Sequence, residues 1–170
     1  KVAMKLADYV VTESGFAADM GAEKFMDLIC RYGGFAPSAV VVTCTMRALK
    51  MHGGLPADPE RLKERNDEAL IRGCENLAKQ VENMRLFGVP VVVTINRFAF
   101  DRDEEVELVR REARAAGAED AVPIEVHALG GDGGQEAAEV VMAAADKGGD
   151  VRFLYPLDAP SKVKIETIAT

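Results

Sequence analysis

The chain has 170 residues, 48% hydrophobic and 29% charged, a balance that fits one soluble globular domain and argues against a disordered tail or a fibrous repeat. Its net charge of -7 offers no basic surface to neutralise phosphodiesters, and no apolar run approaches the roughly 18 to 20 residues of a membrane span, so nucleic acid and membrane partners are set aside. Three widely spaced cysteines, Cys30, Cys44 and Cys74, with only two histidines, His52 and His127, fit reduced thiols in a cytoplasmic core better than a disulfide frame or a structural zinc. The chain opens at Lys1 without signal or transit character, as a segment cut from something longer would.

Five short β-branched runs alternate with helical patterns, which predicts an α/β fold with a mainly parallel sheet and helices on both faces. The first run is residues 9–12, followed by a Gly-rich loop and a helix over 22–31 that buries Phe25, Leu28 and Ile29. Residues 39–44 are almost wholly apolar and read as a central strand covered on both sides. Pro56 and Pro59 mark a polar excursion before the clearest periodic element, in which Leu70, Cys74, Leu77, Val81 and Met84 form one apolar stripe of a helix that ends at Gly88.

Residues 90–95 read as the third strand. Asp101 to Glu104 resembles a capping box opening a helix that buries Val106, Val109 and Ala113 and stops at Gly117. The fourth strand is placed at 123–127. After a Gly-rich loop at 130–134, a helix turns Ala137, Val140, Val141 and Ala144 inward and closes at Gly148. A fifth run at 151–154 leads to a last helix from about Ser161.

Ligands of open parallel sheets sit beyond the carboxyl ends of the strands, so polar residues there are the first candidates. Glu13 and Gly15 follow the first run, an arrangement that in P-loop nucleotidases places a carboxylate near Mg²⁺ and a glycine amide near the terminal phosphate; a turn residue would look the same. Arg47, Lys50 and His52, followed by Gly53 and Gly54, can clamp an anion. Asn96, with Asp101 five residues on, loosely resembles the loop with which many P-loop proteins hold a nucleobase, while Asp101 also reads as a helix cap. The sequence G-x-x-x-x-G-K-[ST] does not occur, so in a P-loop fold the phosphate cradle would lie upstream of Lys1.

Longer motifs carry a family resemblance. Residues 12–25, TESGFAADMGAEKF, resemble TEAGFGADLGAEKF of the formate-tetrahydrofolate ligases, with Ser14, Ala17 and Met20 as departures. Residues 47–54 match RALKMHGG throughout, and residues 76–83 resemble NLEKHIEN with Gln80 in place of His. Residues 90–101 resemble PVVVAINRFPTD, departing at Thr94, Ala99 and Phe100; residues 153–157 and 164–169 resemble a later family segment.

The resemblance spans essentially the whole chain and implies one α/β segment, residues 1–170, of a P-loop NTPase-like nucleotide- and folate-binding region whose phosphate loop and C-terminal region lie elsewhere. It implies a cytoplasmic, homo-oligomeric ligase acting on formate, ATP with Mg²⁺, and tetrahydrofolate. Formate would attack the γ-phosphate to give formyl phosphate, and the formyl group would pass to N10 of tetrahydrofolate, leaving ADP and phosphate. By matching position Phe98 would stack on the pterin beside Asn96 and Arg97. Glu13 and Lys24 would be the catalytic pair, with Gly15, Arg47, Lys50, His52, Asn96 and Asp101 toward the nucleotide or phosphate, and Glu13 toward the metal. A noncatalytic remnant of this family and a P-loop GTPase or ATPase-like module are the alternatives.

Overall fold

The computed structural model describes residues 1–169. Residues 18–33 form a wide helix, with π-type turns at Ala18–Ala22 and Phe25–Cys30 closed by one α turn, α1 (Arg31–Gly33), which Gly34 ends in the left-handed region at φ 64°. Strand β1 (Val40–Cys44) follows, then α2 (Met46–His52) and α3 (Asp67–Arg85), which carry the chain back to β2 (Val91–Asn96). Helix α4 (Asp103–Ala115) makes the next crossover to β3 (Asp120–Ile124). Beyond it lie α5 (Val126–Leu129), a 3₁₀ turn at Gly130–Gly134, α6 (Gln135–Lys147) and α7 (Ser161–Ala169).

The sheet is parallel throughout, in the order β1-β2-β3, with Val40 opposite Val91 and Val92 opposite Asp120. Parallel neighbours require crossovers, and here helices supply them. Successive side chains of β2 point to opposite faces. Val91, Val93 and Ile95 join the core built on the α3 stripe Leu70, Cys74, Leu77, Val81 and Met84 and on Val106, Val109 and Ala113 of α4. Each such side chain contributes about 1.5–3 kcal/mol on burial. On the other face α6 packs over β2 and β3, where Val92, Val122, Ala137 and Ala144 are buried. That cover stops short of β1, leaving Val41 43% exposed.

The α/β class, the parallel sheet and the long third helix follow the sequence reading; four features depart from it. Residues 9–12 belong to no strand, and neither does the fifth run at 151–154. A β-branched run becomes a strand only beside another, and residue 152 instead donates its backbone N–H to the Phe87 carbonyl (2.9 Å) as the chain crosses the turn after α3. There Gly88, at φ 76°, lies so close to Asp150 that a Cβ would stand 2.1 Å from its carbonyl oxygen. Three strands remain among the described residues, and β1, read as central, is an edge strand.

Second, the fourth strand begins three residues earlier, at Asp120, and His127 falls in α5; Pro123 is tolerated because β3 is an edge. Third, the wide helix buries Met26, Asp27 and Cys30, whereas Leu28 and Ile29 are exposed and Phe25 is half-buried. Its π-type turns carry more residues than the 3.6 assumed in a stripe argument, so the inner face shifts to Ala18, Ala22, Met26 and Cys30, each four apart. Fourth, α4 has Arg102 at its N-cap and no side-chain cap there. Asp101 turns back instead and accepts the Phe98 N–H (2.9 Å).

Candidate functional site

Helix α2 starts directly at the carboxyl end of β1 because Thr45, in extended conformation, accepts the Ala48 N–H with its hydroxyl (3.1 Å). This puts Arg47 in the first turn, above the sheet edge. The neighbouring β2 ends in Asn96, and the loop that follows carries Arg97, Phe98, Phe100 and Asp101 to the same edge. The Arg47 guanidinium lies 4.1 Å from the Phe98 ring centroid and 5.5 Å from that of Phe100. The two rings are parallel within 5°, with centroids 5.7 Å apart. Lys63 reaches within 6.0 Å of the Phe100 ring. Arg47 has no carboxylate partner among the described residues, so its charge is available to a ligand while its planar face is spent on the rings.

The loop is fixed from within. Asp101 is 4% exposed; one carboxylate oxygen holds the Phe98 N–H and Oδ1 has no hydrogen-bond partner. Burial pushes its carboxyl up from the usual range, while the Phe98 N–H, Lys50 and Arg47 pull it down and Glu105 adds to the rise. Arg97 is committed to the loop as well: its N–H donates to Ile124 O (3.0 Å), and its guanidinium reaches Asp101 O (3.3 Å) and Asp103 Oδ1 (2.6 Å). The Asn96 side chain is half-buried with no hydrogen bond among the described residues, which leaves its amide free for a ligand.

The cationic residues singled out from the sequence do not act as one group. Lys50 points into the core, where its ammonium meets Glu105 Oε1 at 2.7 Å and donates to the carbonyls of Leu62 (3.3 Å) and Glu64 (2.8 Å). The geometry thus gives Lys50 buried partners of its own where the sequence suggested a phosphate clamp. His52 is exposed in the last turn of α2. Thus Arg47, Phe98, Asn96, Arg97 and Asp101 come together at the sheet edge, Lys50 lies beneath them in the core within electrostatic reach of Asp101, and His52 is exposed at the far end of α2.

Glu13, Gly15 and Lys24 lie ahead of β1 in the chain, on the loop and the wide helix. Glu13 and Lys24 are exposed, and neither shares a hydrogen bond, ion pair or ring contact with the Arg47 cluster among the described residues. The loop folds against the wide helix at Gly15, whose carbonyl would stand 1.6 Å from a Cβ on Gly21. Between them Phe16 takes φ 66°, an uncommon conformation for a side chain other than glycine, and is 91% exposed. For magnesium the fit is partial: Glu13 is one carboxylate of the kind that joins phosphate oxygens around this ion, and no group of three or more His, Cys, Asp or Glu among the described residues could hold a metal by itself.

Sequence reasoning passed over Phe100, Lys63 and Glu105. Phe100 counted only as a departure from the family motif, and Lys63 sits in a loop without periodicity. Glu105 carried a signal: it stands four residues before Val109 in line with the buried stripe of α4, and an acid in such a stripe requires a buried partner. Lys50 is likewise four residues after buried Met46.

The cysteines are inert core groups. Burial, with the nearby Cys74, pushes the Cys44 thiol up to about 12, and burial does the same for Cys74. No helix among the described residues is long and apolar enough to cross a membrane.

The family model described as formate-tetrahydrofolate ligase matches residues 1–170. A formate-tetrahydrofolate ligase of Desulforamulus reducens is 54% identical over 176 residues, covering 100% of this chain and 31% of the relative. Those of Symbiobacterium thermophilum and Herpetosiphon aurantiacus are 50% and 47% identical, again over 100% of this chain and over 30% and 31% of their own lengths. The chain therefore spans somewhat under a third of the curated relatives it matches.

Proposed function

Because the chain belongs to the formate-tetrahydrofolate ligase family, we propose that it supplies the folate-binding wall, and part of the nucleotide-binding wall, of an ATP-dependent ligase. The observation that carries this reading is the meeting of Arg47 with Phe98, which joins two motifs 51 residues apart at the carboxyl edge of adjacent parallel strands, as is usual for ligand crevices of such sheets. A flat pterin offers a π-face to Phe98, and the free amide of Asn96 can pair with a heterocycle edge. Arg47, through its unpaired charge, favours an anionic group of the ligand bound beside the rings.

In the reaction so assigned, a formate oxygen attacks the γ-phosphorus of ATP and the bond to the β-phosphate oxygen breaks, giving formyl phosphate and ADP. N10 of tetrahydrofolate then attacks the formyl carbon, phosphate leaves, and the nitrogen loses its proton. Glu13, Gly15 and Lys24 are assigned to the phosphoryl half, where electrostatic stabilisation dominates, and Phe98, Asn96 and Arg47 to the acceptor half. Arg97 and Asp101 hold the acceptor loop in shape. Magnesium, when bound with the nucleotide, would neutralise phosphate charge, and Glu13 is the residue of this chain suited to help hold it.

Replacing Phe98 with Ala in the complete enzyme separates this reading from a core role. Loss of stacking worth about 0.5–1.5 kcal/mol weakens tetrahydrofolate binding roughly two- to twelvefold and leaves ATP binding nearly unchanged. A core aromatic would instead cost about 3–5 kcal/mol of stability. A large drop in Tm with parallel loss of both ligands would sink the stacking assignment.

A further inference from the structure

Lys50 and Glu105 are the most buried charges of the chain, with side chains 1% and 0% exposed. Taking two charges out of water offsets most of their attraction, so a well-packed apolar pair would serve stability as well. The ammonium nevertheless has three oxygen partners on separate elements: it pairs with the Glu105 carboxylate of α4 and donates to the Leu62 and Glu64 carbonyls of the turn between α2 and α3. Such a group fixes direction and distance between the elements it joins. Glu105 accepts no well-aligned hydrogen bond, and this ammonium is its only ion-pair partner among the described residues, with Arg65 adding a longer-range attraction.

Both ends of the pair stand one helical turn from the crevice. Arg47 precedes Lys50 by three residues on α2 and lies over the Phe98 ring; Asp101 precedes Glu105 by four and holds the Phe98 N–H. Neither support is rigid unaided. Helix α2 has seven residues, too few to be stable by itself, and α4 begins without a side-chain cap. We propose that the Lys50–Glu105 pair is the positioning device of the Arg47–Phe98 crevice, setting the separation between α2 and the loop from β2 to α4; this rests on the reading of that crevice as the folate site.

The test is a cycle in the complete enzyme: Glu105→Gln, Phe98→Ala and the two combined, with kcat, both KM values and Tm measured for each. Small misplacements at a site cost large factors, so Glu105→Gln is expected to raise KM for tetrahydrofolate about tenfold, with KM for ATP within about twofold of the parent. On a Phe98→Ala background the same change is expected to add well under tenfold, because the ring it positions is gone and only the placement of Arg47 is left to lose. A folate KM unchanged by Glu105→Gln, an equal rise for ATP, or effects that multiply in the combined variant would each overturn the proposal. If Phe98→Ala itself spares folate, the site reading fails and the proposal falls with it; if Phe98→Ala acts but the combined effects multiply, only the positioning role fails. Should Glu105→Gln not fold, the charge-free K50M/E105L, which leaves no uncompensated ion, replaces it in the same cycle. Failure of that variant to fold would make the pair a requirement of folding and overturn the positioning role.

Discussion

Arg47 and Phe98, 51 positions apart, meet with the guanidinium carbon 4.1 Å from the ring centroid, and Arg47 extends over Phe100 as well. The contact closes one corner of the sheet edge with a cation that has no carboxylate partner among the described residues. It also sets Arg47 against the aromatic group at the end of β2, while Lys50 turns into the core.

Planarity and charge can be separated at Arg47. Arg47→Lys keeps the charge but loses the flat stack, and Arg47→Met keeps length and loses the charge. A solvent-accessible charge pair between Arg47 and an anionic group of the ligand is worth up to about 1 kcal/mol, so Arg47→Met is expected to weaken tetrahydrofolate binding of the complete enzyme by up to about fivefold, with Arg47→Lys between it and the parent. Equilibrium titration with tetrahydrofolate measures both. Parent affinity in Arg47→Met at unchanged Tm would reduce Arg47 to a surface residue.

The placement of α2 depends on two glycines. A Cβ on Gly73 of α3 would stand 1.8 Å from the Leu49 carbonyl oxygen, and one on Gly53 would stand 1.7 Å from that of Ala69. Ala is the better helix former by about 1 kcal/mol, so propensity alone would make Gly73→Ala stabilising. The close backbone approach predicts the opposite sign, a loss of about 1–3 kcal/mol from overpacking. Ile71→Ala, at an exposed position of the same helix, is the control and is expected to stay within about 0.5 kcal/mol. Chemical denaturation of the complete enzyme decides between the signs.

Asp120 predicts an acid transition. Partial burial pushes its carboxyl up, but hydrogen bonds from Arg114, Arg110 and the Ala121 N–H, with the charge of Arg110, outweigh this and hold it at about 2, below its ordinary 3.8. A lowered folded pKa means that the stabilisation is fully present above pH 3.8 and is lost as the pH falls toward 2. Asp120→Asn is therefore expected to lower Tm at neutral pH, with most of the deficit gone by about pH 2 and the rest lost below it. Tm measured against pH for both proteins checks this; a deficit that persists undiminished at the acid end would assign it to packing.

Periodicity and motif spacing were sufficient for the α/β class, the parallel sheet, the α3 stripe and the family, because these depend on local pattern: an apolar stripe at helical spacing buries wherever the helix packs, and all five of its residues did. RALKMHGG and the Asn-Arg-Phe run were legible as family motifs for the same reason. What the sequence could not supply was partnership. Residues 9–12 and 151–154 have strand composition, yet a strand exists only through a ladder of hydrogen bonds to a neighbouring strand, and among the described residues neither run has one. Lys50 and Arg47 look alike three residues apart, and tertiary packing sends one to a carboxylate in the core and the other to an aromatic pair at the surface. The side chain of Asp101 had two backbone claimants, the helix that follows and the loop that precedes; the turn of the chain at Phe98 gave it to the loop. Such choices depend on which groups long-range folding brings within hydrogen-bond distance, and sequence spacing carries no record of that distance.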